Sequence, residues 1–152
     1  LINALIGVAL LIVLRFALMG LTPASVLWLL AAGVIQVVLV AGVSLVLSTL
    51  NITFRDVAYI TNAALLFGFY ATPILYRPDL VLKALDERGV SWLYPVYFAN
   101  PMAGLITGYR EALLFGRAPG ALLAWPAVFS ALALVFGLVL FRRRSGTLAD
   151  QR

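Results

Sequence analysis

Cysteine and histidine are both absent from this chain, and lysine occurs once, at Lys83. Without cysteine there are no disulfides, thiol nucleophiles or zinc sites built on thiolate. Without histidine there is no imidazole to serve as the base of a catalytic triad. Leu82 precedes the single lysine, so the Gly-Lys-Ser/Thr run of a phosphate-cradling P-loop cannot form. Any nucleotide-driven work must therefore have its hydrolysis in another chain. Charge is scarce as well: 11% of residues are charged and 64% hydrophobic, with a mean hydropathy of +1.07.

What is present is apolar and long. Leu1–Leu21, Val26–Leu47, Val57–Tyr76 and Ala121–Phe141 are each long enough to cross a hydrocarbon core of roughly 30 Å. Only the first holds a charge, Arg15. A soluble domain of 152 residues cannot bury four such segments on every face, because its helices need a polar side. The expectation is an all-α membrane protein with four transmembrane helices. The net charge of +5 does not signal nucleic acid, since the basic residues form no stripe with interleaved aromatics. Arg142–Arg144 follow the last span directly, where cytoplasmic arginines anchor topology. Parity then puts Leu1 and the tail 142–152 both in the cytoplasm. The chain opens inside an apolar run with no polar leader region, so it is expected to be part of a longer protein rather than to carry a signal peptide.

Arg15 falls about 21 Å along the first helix, near the outer interface, where its stem can snorkel. Thr22-Pro23 suits an N-cap and first-turn proline, making the first two spans a hairpin. The second span carries Gly33, Gln36, Gly42, Ser44 and Ser48, small or polar residues that favour close helix approach and an interhelical hydrogen bond from Gln36. Asn51-Ile-Thr-Phe-Arg-Asp56 breaks the apolar pattern. Thr53 and Asp56 have the spacing of a capping box, and Asp56 suits the positive end of the next helix. Arg55 does not fit that end, which makes it a functional candidate. Pro73 is expected to kink or end the third span, with Tyr70 and Tyr76 at the level of an aromatic belt.

Residues 77–120 are too apolar for a solvated loop and too broken for a further crossing. Asp79–Arg88 can form a short amphipathic helix closed by Gly89. Trp92, Tyr94, Tyr97 and Phe98 follow. Asn100-Pro101 starts a second helix, with Met102, Leu105, Ile106, Tyr109 and Leu113 on one apolar face and Gly116 as its stop. These two short external helices are expected to be re-entrant or interfacial, and such backbone needs cover from protein or a water-filled cavity. A gate or vestibule on the outer face is the natural reading.

The order of Asn51-Ile-Thr-Phe-Arg-Asp-Val57, a span ending Thr72-Pro-Ile-Leu-Tyr76, an external Asn100-Pro-Met-Ala-Gly-Leu-Ile-Thr-Gly-Tyr-Arg110, and a last span with a basic tail holding Ala149-Asp150 resembles the permease subunit of ABC-2 type transporters. Within that family it resembles the branch exporting O-antigen, capsular polysaccharide and teichoic acid. The resemblance covers nearly the whole chain and implies that these are the last four of six spans. It also implies a homodimer of permeases in the inner membrane, bound to ABC ATPase subunits that carry the ATP and Mg, with no cofactor in this chain. The short external helices would then gate a central channel.

The expected function is export of a lipid-linked glycan. Sugar rings present apolar C–H faces, so Tyr70, Tyr76, Trp92, Tyr94, Tyr97 and Tyr109 are candidates to line its path, although interfacial aromatics serve membrane proteins generally. Arg55 is a candidate for the anionic headgroup, or it anchors its own loop. Arg110 and Glu111 either pair at the gate helix or mark its edge. Export of drugs or small lipids is the alternative within the family. A membrane-embedded enzyme is poorly supported, because all six acids lie outside the apolar spans. A purely structural subunit would have no need of the broken 77–120 region.

Overall fold

The computed structural model describes residues 23–149 together with Ile6 and Val13. The first expected span, with Arg15 and Thr22, therefore lies outside the described residues. Among the described residues every regular element is helical, the one answer to backbone hydrogen bonding that an apolar chain segment can supply from within itself.

Helix α1, Pro23–Thr53, has 31 residues and a length of about 46 Å at 1.5 Å per residue. Its proline stands at the first position, where no amide is needed. The last helix of the chain, Ala124–Ala149, has 26 residues and is entered through a 3₁₀ turn at Gly120–Leu123. Both are long and apolar enough to cross a membrane. They pack on each other along their length, and the contact is backbone on backbone. A Cβ added at Gly137 would come within 2.8 Å of the Gly42 carbonyl oxygen, and one added at Gly42 within 2.5 Å of the Leu134 nitrogen. Small residues in membrane helices permit this approach, and dispersion contact along the seam supplies the attraction. The last helix runs on through Arg142–Arg144, which are exposed on it.

Helix α2, Val57–Ala71, has 15 residues and buries none of them. At about 22 Å it is shorter than the ~20-residue length of a full crossing. The apolar run expected to continue to Tyr76 leaves the helix at Ala71. The cause is Pro73, which forces the preceding residue out of the α region. Thr72 is accordingly extended at φ −97°, ψ 140°. Thr53 is the last residue of α1, not the start of a cap on α2. Asp56 does occupy the N-cap position of α2 but makes no side-chain cap bond, so Thr53 and Asp56 belong to the ends of two different helices.

Three short helices, not two, fill the connection. Helix α3 is Pro78–Glu87, closed by Gly89 at φ +66°. A 3₁₀ turn at Ser91–Leu93 leads into α4, Tyr94–Phe98. Helix α5, Pro101–Arg110, runs into a π-turn at Glu111–Phe115 that ends on left-handed Gly116 at φ +62°. The long C-terminal helix is then α6. The face of α5 that is fully buried is Ala103, Gly104, Leu105 and Gly108, shifted from the expected face. A Cβ added at Gly104 would sit 2.8 Å from the Leu122 carbonyl oxygen, and one at Gly108 2.7 Å from a Leu123 methyl. Gly104 and Gly108 are where α5 seats against the start of α6. Met102 and Tyr109 still pack on the core of Ala32, Leu39, Leu105 and Leu123, which wedges α5 between α1 and α6.

Candidate functional site

Helix α5 begins at Asn100 because that residue satisfies the helix end twice. Its Oδ1 accepts from the Met102 amide at 3.0 Å, the usual N-cap bond. Its Nδ2 donates to the Thr72 hydroxyl at 3.0 Å, and Thr72 in turn donates to the Gly68 carbonyl at 2.7 Å. Thr72 and Pro73 are both buried. The short cap of one helix is therefore joined to the frayed end of another.

At the far end of α5, Arg110 donates to two backbone carbonyls, that of Tyr76 at 2.7 Å and that of Ile74 at 2.7 Å. Its guanidinium serves the turn after Pro73, not Glu111. The preceding residue, Tyr109, donates from its hydroxyl to Gln36 Oε1 at 2.8 Å. Gln36 lies about 20 Å along α1, so the last turn of α5 dips to the level of the middle of that helix. The partner expected for Gln36 is thus an aromatic of the connection. No spacing rule could have joined residues 36 and 109.

The aromatics divide into three groups. Tyr94 and Tyr97 stack at 6.3 Å between centroids, and Phe98 meets both edge-on. The Tyr97 hydroxyl is buried without a hydrogen-bond partner among the described residues. Burial first, and the neighbouring Tyr76 next, raise its pKa above the ordinary phenol value; burial and then the Asp79 charge raise that of Tyr94. Tyr76 donates from its hydroxyl to the Tyr70 carbonyl at 3.1 Å, closing the turn that Arg110 holds. Trp92 is 70% exposed and Tyr70 66%, so both present open rings. Tyr109 is different, being half-buried and committed to Gln36.

The structure thus brings Tyr70, Tyr76, Tyr94, Tyr97, Asn100, Pro101 and Arg110 around one turn. Arg55 stands apart, exposed at the opposite end of α2 with Asp56. Trp125, a contributor the sequence did not single out, donates from Nε1 to the Ala99 carbonyl at 2.9 Å and ties α6 to the start of α5. An indole at the head of an apolar helix looks like an interfacial anchor, so nothing in its position announced this bond.

Comparison with curated proteins finds three similar chains, all called O-antigen export system permease protein RfbA. One from Klebsiella pneumoniae is 36% identical over 101 residues, 64% of this chain and 35% of the relative. A second from the same species is 29% identical over 127 residues, covering 82% and 46%. One from Myxococcus xanthus is 32% identical over 87 residues, covering 57% and 31%. The chain is similar to O-antigen export permeases over these stretches.

The ABC-2 resemblance drawn from the sequence thus stands. The matched stretches cover less than half the length of these permeases. No family model matches the chain, and no solved structure matches it. Long apolar helices and permease relatives together make it a membrane protein.

Proposed function

We propose that this chain is part of the permease subunit of an ATP-driven ABC exporter that moves a lipid-linked polysaccharide, of O-antigen type, across the inner membrane. The similarity to three O-antigen export permeases carries this reading. The full subunit has six spans, of which this chain holds the last four, with both ends of the stretch cytoplasmic. It works as a homodimer on two ABC ATPase subunits, which supply the ATP and Mg.

The division of labour follows from chemistry. Trp92 and Tyr70 offer exposed faces on which sugar C–H surfaces make weak, exchangeable contacts. Such contacts let a polymer slide rather than lodge. Tyr76, Tyr94 and Tyr97 form the wall behind them, and Tyr109 holds the wall against α1. Arg55, at the cytoplasmic end of α2, meets the phosphate of the lipid carrier through charge-assisted hydrogen bonds. Nucleotide acts through the partner by favouring one permease conformation over another, since a ligand shifts an equilibrium only by its differential affinity.

The test is complementation. The full-length permease and its ATPase are expressed in an O-antigen exporter-deficient strain, and surface polysaccharide is measured by antibody binding. Export that needs both chains is the expected result. Glycan accumulating inside despite correctly inserted permease would overturn the proposal.

A further inference from the structure

The two sequence stretches that stood out independently, Thr72-Pro-Ile-Leu-Tyr76 and Asn100 to Arg110, are physically one unit. Asn100, immediately before α5, bonds the Thr72 side chain. Arg110, the last residue of α5, bonds the carbonyls of Ile74 and Tyr76. The two ends of a ten-residue helix, about 15 Å apart, thus hold the two ends of one turn.

The reason lies in the backbone. Pro73 ends α2 and leaves the carbonyls of the following turn without helical partners. A backbone carbonyl that leaves its helix takes its hydrogen bond from another group. A side chain must supply donors, and they must point at two carbonyls at once. Guanidinium has a rigid planar fork that does this, whereas an ammonium is a single point of donation.

We infer that Arg110 and Asn100 are positioning residues forming a latch that joins α5 to the end of α2, so that the two helices move as one body. α2 buries no residue of its own, and the latch joins its C-terminal end to α5. A shift of α2 is thereby delivered to α5, whose glycine face slides on the start of α6, and to the aromatic wall on Tyr76. This rests on the export reading for its consequence, though not for its existence.

The experiment uses the full-length permease with its ATPase, in a cysteine-free background. A nitroxide is attached at Leu75→Cys, between the two clamped carbonyls, and its spectral line shape reports the mobility of the turn. Arg110→Ala and Arg110→Lys are both expected to mobilise the label and to cut export about tenfold or more, at unchanged membrane abundance. Asn100→Ala and Thr72→Val should each reduce export several-fold, and the double variant should be no worse than the more severe single one. Full function and a rigid label in Arg110→Lys would show that charge alone matters and would overturn the latch. A mobile label with normal export in Arg110→Ala would remove its positioning role. Absence of export in the unaltered protein would count against the export reading, and the label would still decide the latch. If Arg110→Ala fails to accumulate, Thr72→Val, a near-isosteric change, carries the same comparison.

Discussion

Gly137 of α6 faces the carbonyl oxygen of Gly42 in α1 so closely that a methyl group at Gly137 would lie 2.8 Å from it. The seam between the two longest helices depends on that missing methyl group. Replacing either glycine by alanine or valine forces the helices apart along their whole contact. Overpacking of this kind costs about 1–3 kcal/mol. Gly42→Val and Gly137→Val are expected to lower the melting temperature of the detergent-solubilised protein by several degrees. Gly68→Ala, where nothing lies within 4 Å of the new Cβ, should not lower it, since alanine is the better helix former, and equal melting for all three would refute the seam.

The bond from Tyr109 to Gln36 makes a second prediction. Interhelical hydrogen bonds in membranes contribute roughly 0.6–2 kcal/mol. Tyr109→Phe strands the amide, and Gln36→Leu strands the hydroxyl. Each single variant should be destabilised by that order, with the double variant recovering part of the loss because no polar atom is left unpaired. A purely additive double variant would show that the bond is not made.

Trp92 and Tyr70 stand exposed while Tyr109 is committed to packing. Alanine at Trp92 and Tyr70 together is therefore expected to reduce glycan export several-fold with normal membrane abundance. Alanine at Tyr109 should lower abundance as well. A normal rate of export in the Trp92→Ala, Tyr70→Ala permease would refute the open-ring pathway.

Tyr97 provides a pH dependence. Its pKa in the folded chain is raised by burial and by Tyr76, against an ordinary value of about 10 once unfolded. Both states hold the proton below that value, and the contribution to stability is fully present there. Above it the unfolded chain loses the proton first, so stability falls as pH rises toward the folded pKa. Tyr97→Phe should flatten the loss of stability between about pH 10 and pH 11, as read from thermal melts across that range. A melt with the same slope in both proteins would refute the buried phenol.

Some features were legible because they are local. Asn100-Pro101 announces a helix start by the chemistry of a cap and a proline, and α5 begins there. Gly89 and Gly116 mark stops, because only a residue without a Cβ takes positive φ freely; both do so. The end of the third apolar run was anticipated near Pro73, yet the helix stops at Ala71, since a proline constrains the residue before it as well as itself. Thr53 and Asp56 have capping-box spacing but lie on different helices. Spacing identifies such a box only if the helix boundary is known, and α1 had not ended.

The face of α5 shows the other limit. Counting large apolar residues finds Leu105, Met102 and Tyr109, which do meet the core, but misses Ala103, Gly104 and Gly108, because a helix seated against another backbone also turns its smallest residues inward.

The sequence alone determined the class of the protein. Twenty-residue apolar runs admit one solvent, and missing histidine, cysteine and P-loop residues exclude whole chemistries whatever the fold. Tertiary structure decided the partnerships: Gln36 with Tyr109, Asn100 with Thr72, Arg110 with the carbonyls of Ile74 and Tyr76. A donor's need for an acceptor is written in its residue type, but which acceptor meets it depends on where helices cross, and that is settled by the close approach that glycines allow.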